Sequence, residues 1–127
     1  MSLTNAQLTE LRTQVLVGMS KTALAIDRLD RWLILNKFDD DYDDVEGELL
    51  ELEAQLHKLT TKLASLNHGN GRLAPPEDAR METIKNLSNE VEDLIRAQAT
   101  ADTMLSLAGR TLTLIAEVQK VGAGPAA

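Results

Sequence analysis

An all-α fold, an antiparallel three-helix bundle with coiled-coil-like packing, is what this sequence predicts, on three observations. Apolar residues recur at alternating spacings of three and four along most of the 127 residues, the period of helices whose seams face other helices. Aromatic residues make up 2% against 43% hydrophobic, so aliphatic side chains must fill the interior, which suits packed helices better than stacked strands. One internal stretch alone is rich in turn residues, His68 to Pro75, with two glycines and an asparagine ahead of the proline pair Pro75 and Pro76. The chain is long enough for one domain with its own core and too short for two ordinary ones, so residues 1–121 are read as a single domain and 122–127 as a flexible tail.

The first helix is expected over about 4–36. Thr4 and Gln7 suit a reciprocal capping box, and Leu3 can pack on Leu8 as a hydrophobic staple. From there Leu8, Leu11, Val15, Gly18, Thr22, Ala25, Leu29 and Trp32 form the seam, and Leu16, Met19, Ala23, Ile26 and Leu33 add a second stripe. A face that broad implies two neighbours. The short connection Phe38 to Asp41 turns the second helix, about 40–67, back beside the first. Its seam is the cleanest in the chain: Val45, Leu49, Leu52, Leu56, Leu59, Leu63 and Leu66. Asn67, His68 and Gly69 provide a left-handed stop.

The third helix is expected to run over about 76–121, with Pro76 at its first position and Glu77 and Asp78 at its positive end. Ile84, Leu87, Val91, Leu94, Gln98, Ala101, Leu105, Ala108, Leu112, Ile115 and Gln119 keep one register throughout, and Gly109 within it costs only about 1 kcal/mol. At about 1.5 Å per residue the three helices span roughly 48, 40 and 69 Å, so the third outreaches its partners. Its end carries Leu112, Leu114, Ile115, Val118 and Val121. Leaving five such side chains in water would forgo about 8 to 15 kcal/mol, comparable with the stability of a small domain. Two remedies follow: self-association through these five residues, the primary expectation, with a dimer favoured; or a break near residues 97–109 that gives a four-helix bundle.

Charge and composition exclude several functions. The absence of cysteine removes disulfides, thiolate nucleophiles and cysteine-based zinc sites. A net charge of −7 argues against a nucleic-acid-binding surface. The N-terminal MSLTNAQLTELR has no secretory pattern, and charge interrupts every apolar run well short of membrane-spanning length, so a soluble, cytoplasmic protein is expected. The acidity is concentrated in Asp39, Asp40, Asp41, Asp43, Asp44, Glu46, Glu48, Glu51 and Glu53, with no base among them. Removing these from the 20 acids leaves the rest of the chain slightly positive against 13 bases.

That acidic run fails as a calcium loop, because Asp44 stands where glycine and Leu50 where glutamate are required. Helix capping and solvation account for much of it; Asp39, Asp40, Asp41, Asp43 and Asp44 are also the candidate binding patch for a basic partner. His57 and His68 lack the spacing that aims two imidazoles at one metal, and a turn reading suffices for Gly69 to Arg72 as against an anion loop. Asp27, Asp30 and Asp102 are the acids set in strongly apolar stretches, yet no serine or histidine pattern points to catalysis. No catalytic residue, cofactor or metal ligand is assigned. Thr22, Gln98 and Gln119 are polar positions in the seams and candidates for setting register or partner number. The expected function is a non-enzymatic protein interaction module (an adaptor, assembly factor, chaperone or neutralising protein) that binds another protein and forms a homo-oligomer through the third helix. The alternative is an acidic inhibitor or nucleic-acid mimic that binds a basic partner through residues 39–53.

Overall fold

Reciprocal capping starts the first helix: the Gln7 amide donates to Thr4 Oγ1 at 3.1 Å and the Thr4 amide donates to Gln7 Oε1 at 2.9 Å. The computed structural model describes residues 3–68 and 73–123, and there the chain forms α1 (Asn5–Leu35), α2 (Tyr42–Asn67), α3 (Asp78–Arg96) and α4 (Ala101–Gln119). The fold is therefore all-α with four helices, and the fold-back alternative replaces the three-helix bundle. Asp41 caps α2 without a side-chain hydrogen bond, while Asp43 and Asp44 occupy its first turn beside the positive end of the helix dipole. His68, at the end of α2, is not left-handed. Gly69 to Arg72, with the anion-loop idea attached to them, lie outside the described residues.

The single helix expected over 76–121 is corrected in three places. Pro76 precedes the helix, which is capped by Glu77 and starts at Asp78. The helix ends at Arg96, where Ala97 turns extended (φ −72°, ψ 166°), and Thr100, also extended, opens α4 by accepting a hydrogen bond from the Thr103 amide at 3.1 Å. Arg28 of α1 donates from Nη2 to the Ala97 carbonyl at 3.2 Å, so a carbonyl freed by the break has a partner. The apolar register gave no hint of this, because a spacing of four and three across Leu94, Gln98 and Ala101 is satisfied as well by a turn as by a helix.

Folding back removes the overhang on which self-association was argued. Leu114, Ile115, Val118 and Val121 are buried in the chain's own core, and Leu112 is half-buried against it. They are interior residues, so their assignment to a self-association surface is withdrawn. The reason is physical: an intramolecular hairpin buries these side chains without the entropy cost of bringing two molecules together. The 122–127 tail is corrected in part. Gly122 is buried, takes the left-handed φ of +76° that glycine adopts cheaply, and accepts from the Ala74 amide at 2.9 Å. Residues 124–127 lie outside the described ones.

The helices run up, down, up and down. Gly18 of α1 meets Val118 of α4, Gly122 lies beside Leu11 and Leu66, and Lys21 pairs with Glu92 at 3.4 Å, so α3 runs parallel to α1 while α2 and α4 run against it. Among the described residues α2 and α3 do not touch; α1 and α4 lie between them and each contacts all three other helices. That central placing explains which seams are broad. In α4 the buried positions are Met104, Leu107, Ala108, Thr111, Leu114, Ile115 and Val118, a wider stripe than the expected Leu105, Ala108, Leu112, Ile115 and Gln119. In α2, with two neighbours, the expected seam holds: Val45, Leu49, Leu52, Leu59 and Leu66 are buried and Leu56 and Leu63 half-buried.

Gly18 lets the two central helices approach, because a Cβ built there would stand 2.8 Å from Val118 Cγ2. Thr22 and Thr111, both fully buried, return their hydroxyls to the carbonyls of Gly18 and Leu107 at 2.7 Å and so carry no unpaired polar group into the core. Gln98 is exposed in the break and Gln119 is half-buried near the end of α4, which leaves neither as a polar residue inside a seam.

Candidate docking site at the tip of the first hairpin

The two hairpins differ in length. α1 and α2 have 31 and 26 residues, about 46 and 39 Å, whereas α3 and α4 have 19 each, about 28 Å. The mismatch expected from the sequence, an over-long third helix, is thus reversed: the helices of the first hairpin are the longer pair. Three residues of α1 spaced by seven, and so on one face, show where cover ends. Lys21 pairs with Glu92 of α3, Arg28 donates to the carbonyl of Ala97 just past the end of α3, and Leu35 lies beyond the end of that helix.

Past that point Leu35 is bare, and Ile34 continues the solvent side of α1 that Ser20 and Asp27 occupy further down the helix. Leu35 is 81% exposed, Ile34 60% and Phe38, in the turn between the helices, 100%; Leu50 on α2 is 61% exposed. Trp32 and Leu33, on the opposite side of the same turn of α1, are buried. An exposed leucine by itself is ordinary, but a bare phenylalanine beside two bare aliphatics at one end of a bundle is a patch.

The turn that carries Phe38 is held by its own hydrogen bonds. Asn36 donates from Nδ2 to the Trp32 carbonyl at 2.7 Å, the Asp39 amide donates to the Asn36 carbonyl at 3.1 Å, and the Asp41 amide donates to Asp39 Oδ1 at 2.8 Å. Asparagine and aspartate build such turns because their short side chains mimic a backbone acceptor or donor. Phe38 is thereby presented outward by a structured loop.

Acids surround this patch. Asp39, Asp40, Asp43 and Asp44 are exposed and Asp41 is half-buried. Among the described residues no carboxylate from Asp39 to Glu53 has a cation within 4.0 Å; the ion pairs of the molecule lie elsewhere, as in Arg80 with Glu117 at 2.9 Å and Arg110 with Glu90 at 3.7 Å. Partial burial, then the charges of Asp39, Asp44, Asp102 and Asp40, push the Asp41 carboxyl above its ordinary range. Asp102 acts on Asp41 because α4 starts beside the start of α2. Sequence reasoning found the acids but missed Ile34, Leu35 and Phe38, since the point at which α3 stops beside α1 became visible only with the break at Ala97.

Other candidate groups are dispersed. Asp27 pairs with Arg31 in the open at 3.2 Å, Asp30 and Asp102 are exposed, and His57 and His68 are exposed on α2 and at its end. Among the described residues no three acids or histidines are placed to hold a metal ion, no carboxylate is buried, and no helix is long and apolar enough to cross a membrane. An open groove of about 540 Å³ runs between α1 and α3 over Val17, Met81 and Ile84. Ser88 lies at its edge with a hydroxyl that is buried and has no hydrogen-bond partner among the described residues. No protein-family model, curated protein or solved structure matches this chain.

Proposed function

We propose that the chain is a non-enzymatic protein interaction module whose docking surface is the tip of the α1–α2 hairpin. The observation that carries this reading is the full exposure of Phe38 in the turn, beside exposed Leu35 and Ile34 at the end of α1. A structured turn that presents an aromatic side chain to solvent contributes nothing to the stability of the bundle and lowers the entropy cost of binding a partner. Aromatic anchors of this kind supply much of the energy at protein interfaces. The same surface serves an adaptor, an assembly factor, a chaperone or a neutralising protein.

Site-specific photocrosslinking in the native host tests the proposal. A photoreactive phenylalanine analogue at position 38 is expected to yield a discrete protein adduct that disappears when Leu35→Ser is added. The same analogue at Thr61, an exposed position in the second half of α2, is the control. Equal adduct patterns at 38 and 61, or an adduct at 38 indifferent to Leu35→Ser, would refute the tip as the docking surface.

A further inference from the structure

Resting on the reading of the tip as a docking site, we propose that its occupant is a protein surface in which an apolar cleft is rimmed by arginine and lysine. The anchor supplies the first half of the argument. Ile34, Leu35 and Phe38 need an apolar cleft, since their transfer from water is the favourable term in binding. The collar supplies the second. Among the described residues the carboxylates from Asp39 to Glu53 have no cation of their own within 4.0 Å, and Lys37 is the one base beside the turn. A partner that brought carboxylates or a bare apolar rim against this collar would face repulsion or unpaired charge, and cations around its cleft would remove both penalties.

Charge also sets aside two other occupants. A bilayer would accept Phe38 and Leu35, but the negative inner leaflet of a cell membrane repels a collar of carboxylates. A second copy docking tip to tip would be an isologous contact, in which each acidic collar faces its own duplicate. A purely electrostatic mimic of a nucleic acid would have no use for the aromatic side chain at the centre. The apolar anchor gives affinity in this arrangement, and the collar gives partner choice and a fast, salt-sensitive association.

Titration of the isotope-labelled full chain by NMR tests this with three synthetic amphipathic helical peptides of equal length. Each has leucine along one face; the other face carries arginine, glutamine or glutamate. The arginine peptide is expected to shift amides within residues 34–50 and to bind about tenfold or more tighter than the glutamine peptide, several exposed ion pairs each adding a small factor. The glutamate peptide is expected not to bind. Raising salt from 50 to 500 mM is expected to remove the advantage of arginine over glutamine, because exposed charges are then screened within a few ångströms. Phe38→Ser, at a fully exposed position and so harmless to the fold, is expected to weaken the arginine and glutamine peptides alike by about tenfold. Changing Asp39, Asp40, Asp41, Asp43 and Asp44 together to asparagine is expected to bring the arginine peptide down to the affinity of the glutamine one.

The two readings fail separately. Equal binding of the arginine and glutamine peptides, with Phe38→Ser still damaging, would overturn the cationic rim and leave the docking tip standing. Arginine-peptide shifts on another face, or indifference to Phe38→Ser, would overturn both. Binding to phosphatidylcholine vesicles lost in Phe38→Ser would overturn the protein occupant in favour of a membrane.

Discussion

Replacing Gly18 with alanine should destabilise this protein or leave its stability unchanged, whereas the same replacement at Gly47 or Gly109 should stabilise it. All three glycines lie inside helices, where exchange for alanine ordinarily gains about 1 kcal/mol. They differ in what the new methyl group meets. At Gly47 and Gly109 nothing lies within 4 Å. At Gly18 the added Cβ would stand 2.8 Å from Cγ2, 3.2 Å from Cγ1 and 3.3 Å from Cβ of Val118, a fully buried β-branched side chain with little rotamer freedom in a helix. Carbon atoms pack best at about 3.5–4.0 Å, so either α1 and α4 separate or Val118 moves off its rotamer. Overpacking of this sort costs about 1–3 kcal/mol, which set against the propensity gain leaves Gly18→Ala between neutral and about 2 kcal/mol destabilised. The gap from the two control substitutions is then about 1–3 kcal/mol, measurable from urea denaturation midpoints at unchanged slope. A second comparison isolates the contact. Val118→Ala should cost less in the Gly18→Ala background than in the wild type, with a coupling of about 1 kcal/mol. Stabilisation of Gly18→Ala equal to that of Gly109→Ala, together with additive effects of the pair, would refute the close approach of the two central helices.

Two further outcomes bear on the break and on the acidic tip. Thr100→Ala removes the cap of α4 and should cost about 1 kcal/mol in chemical denaturation; adding Gln98→Ala, which favours helix across residues 97–100, should raise the fraction at twice the 13.9 kDa monomer mass by light scattering, as α3 and α4 straighten and exchange between two molecules. Asp41 has a folded pKa raised above its ordinary 3.8, so the folded protein holds that proton more tightly than the unfolded chain does; the stability this confers is complete below about 3.8 and is lost as pH rises through the raised value. Asp41→Asn should therefore melt at a higher temperature than the wild type at pH 7, with the difference vanishing below about pH 3.8; an unchanged difference across that range would show that folding does not raise the Asp41 pKa.

The residues themselves determined the helical class, the start of α1 and the core of the first hairpin. Thr4 and Gln7 are local partners three residues apart, and the leucines of α2 face two neighbours along one narrow seam, so both can be read without knowing where the rest of the chain goes. The tertiary structure decided the rest. Met104, Leu107, Thr111, Leu114 and Val118 are interior because α4 lies centrally among three helices, and spacing cannot distinguish that wide stripe from the register through Leu105 and Leu112. Whether the end of the third apolar run turns back or meets a second copy is a competition between an intramolecular contact and an intermolecular one, and helical period is common to both. Leu35 is exposed for a related reason: once the chain breaks at Ala97, α3 stops short of the end of α1, and the bare side of the tip follows from an end position that no local pattern records.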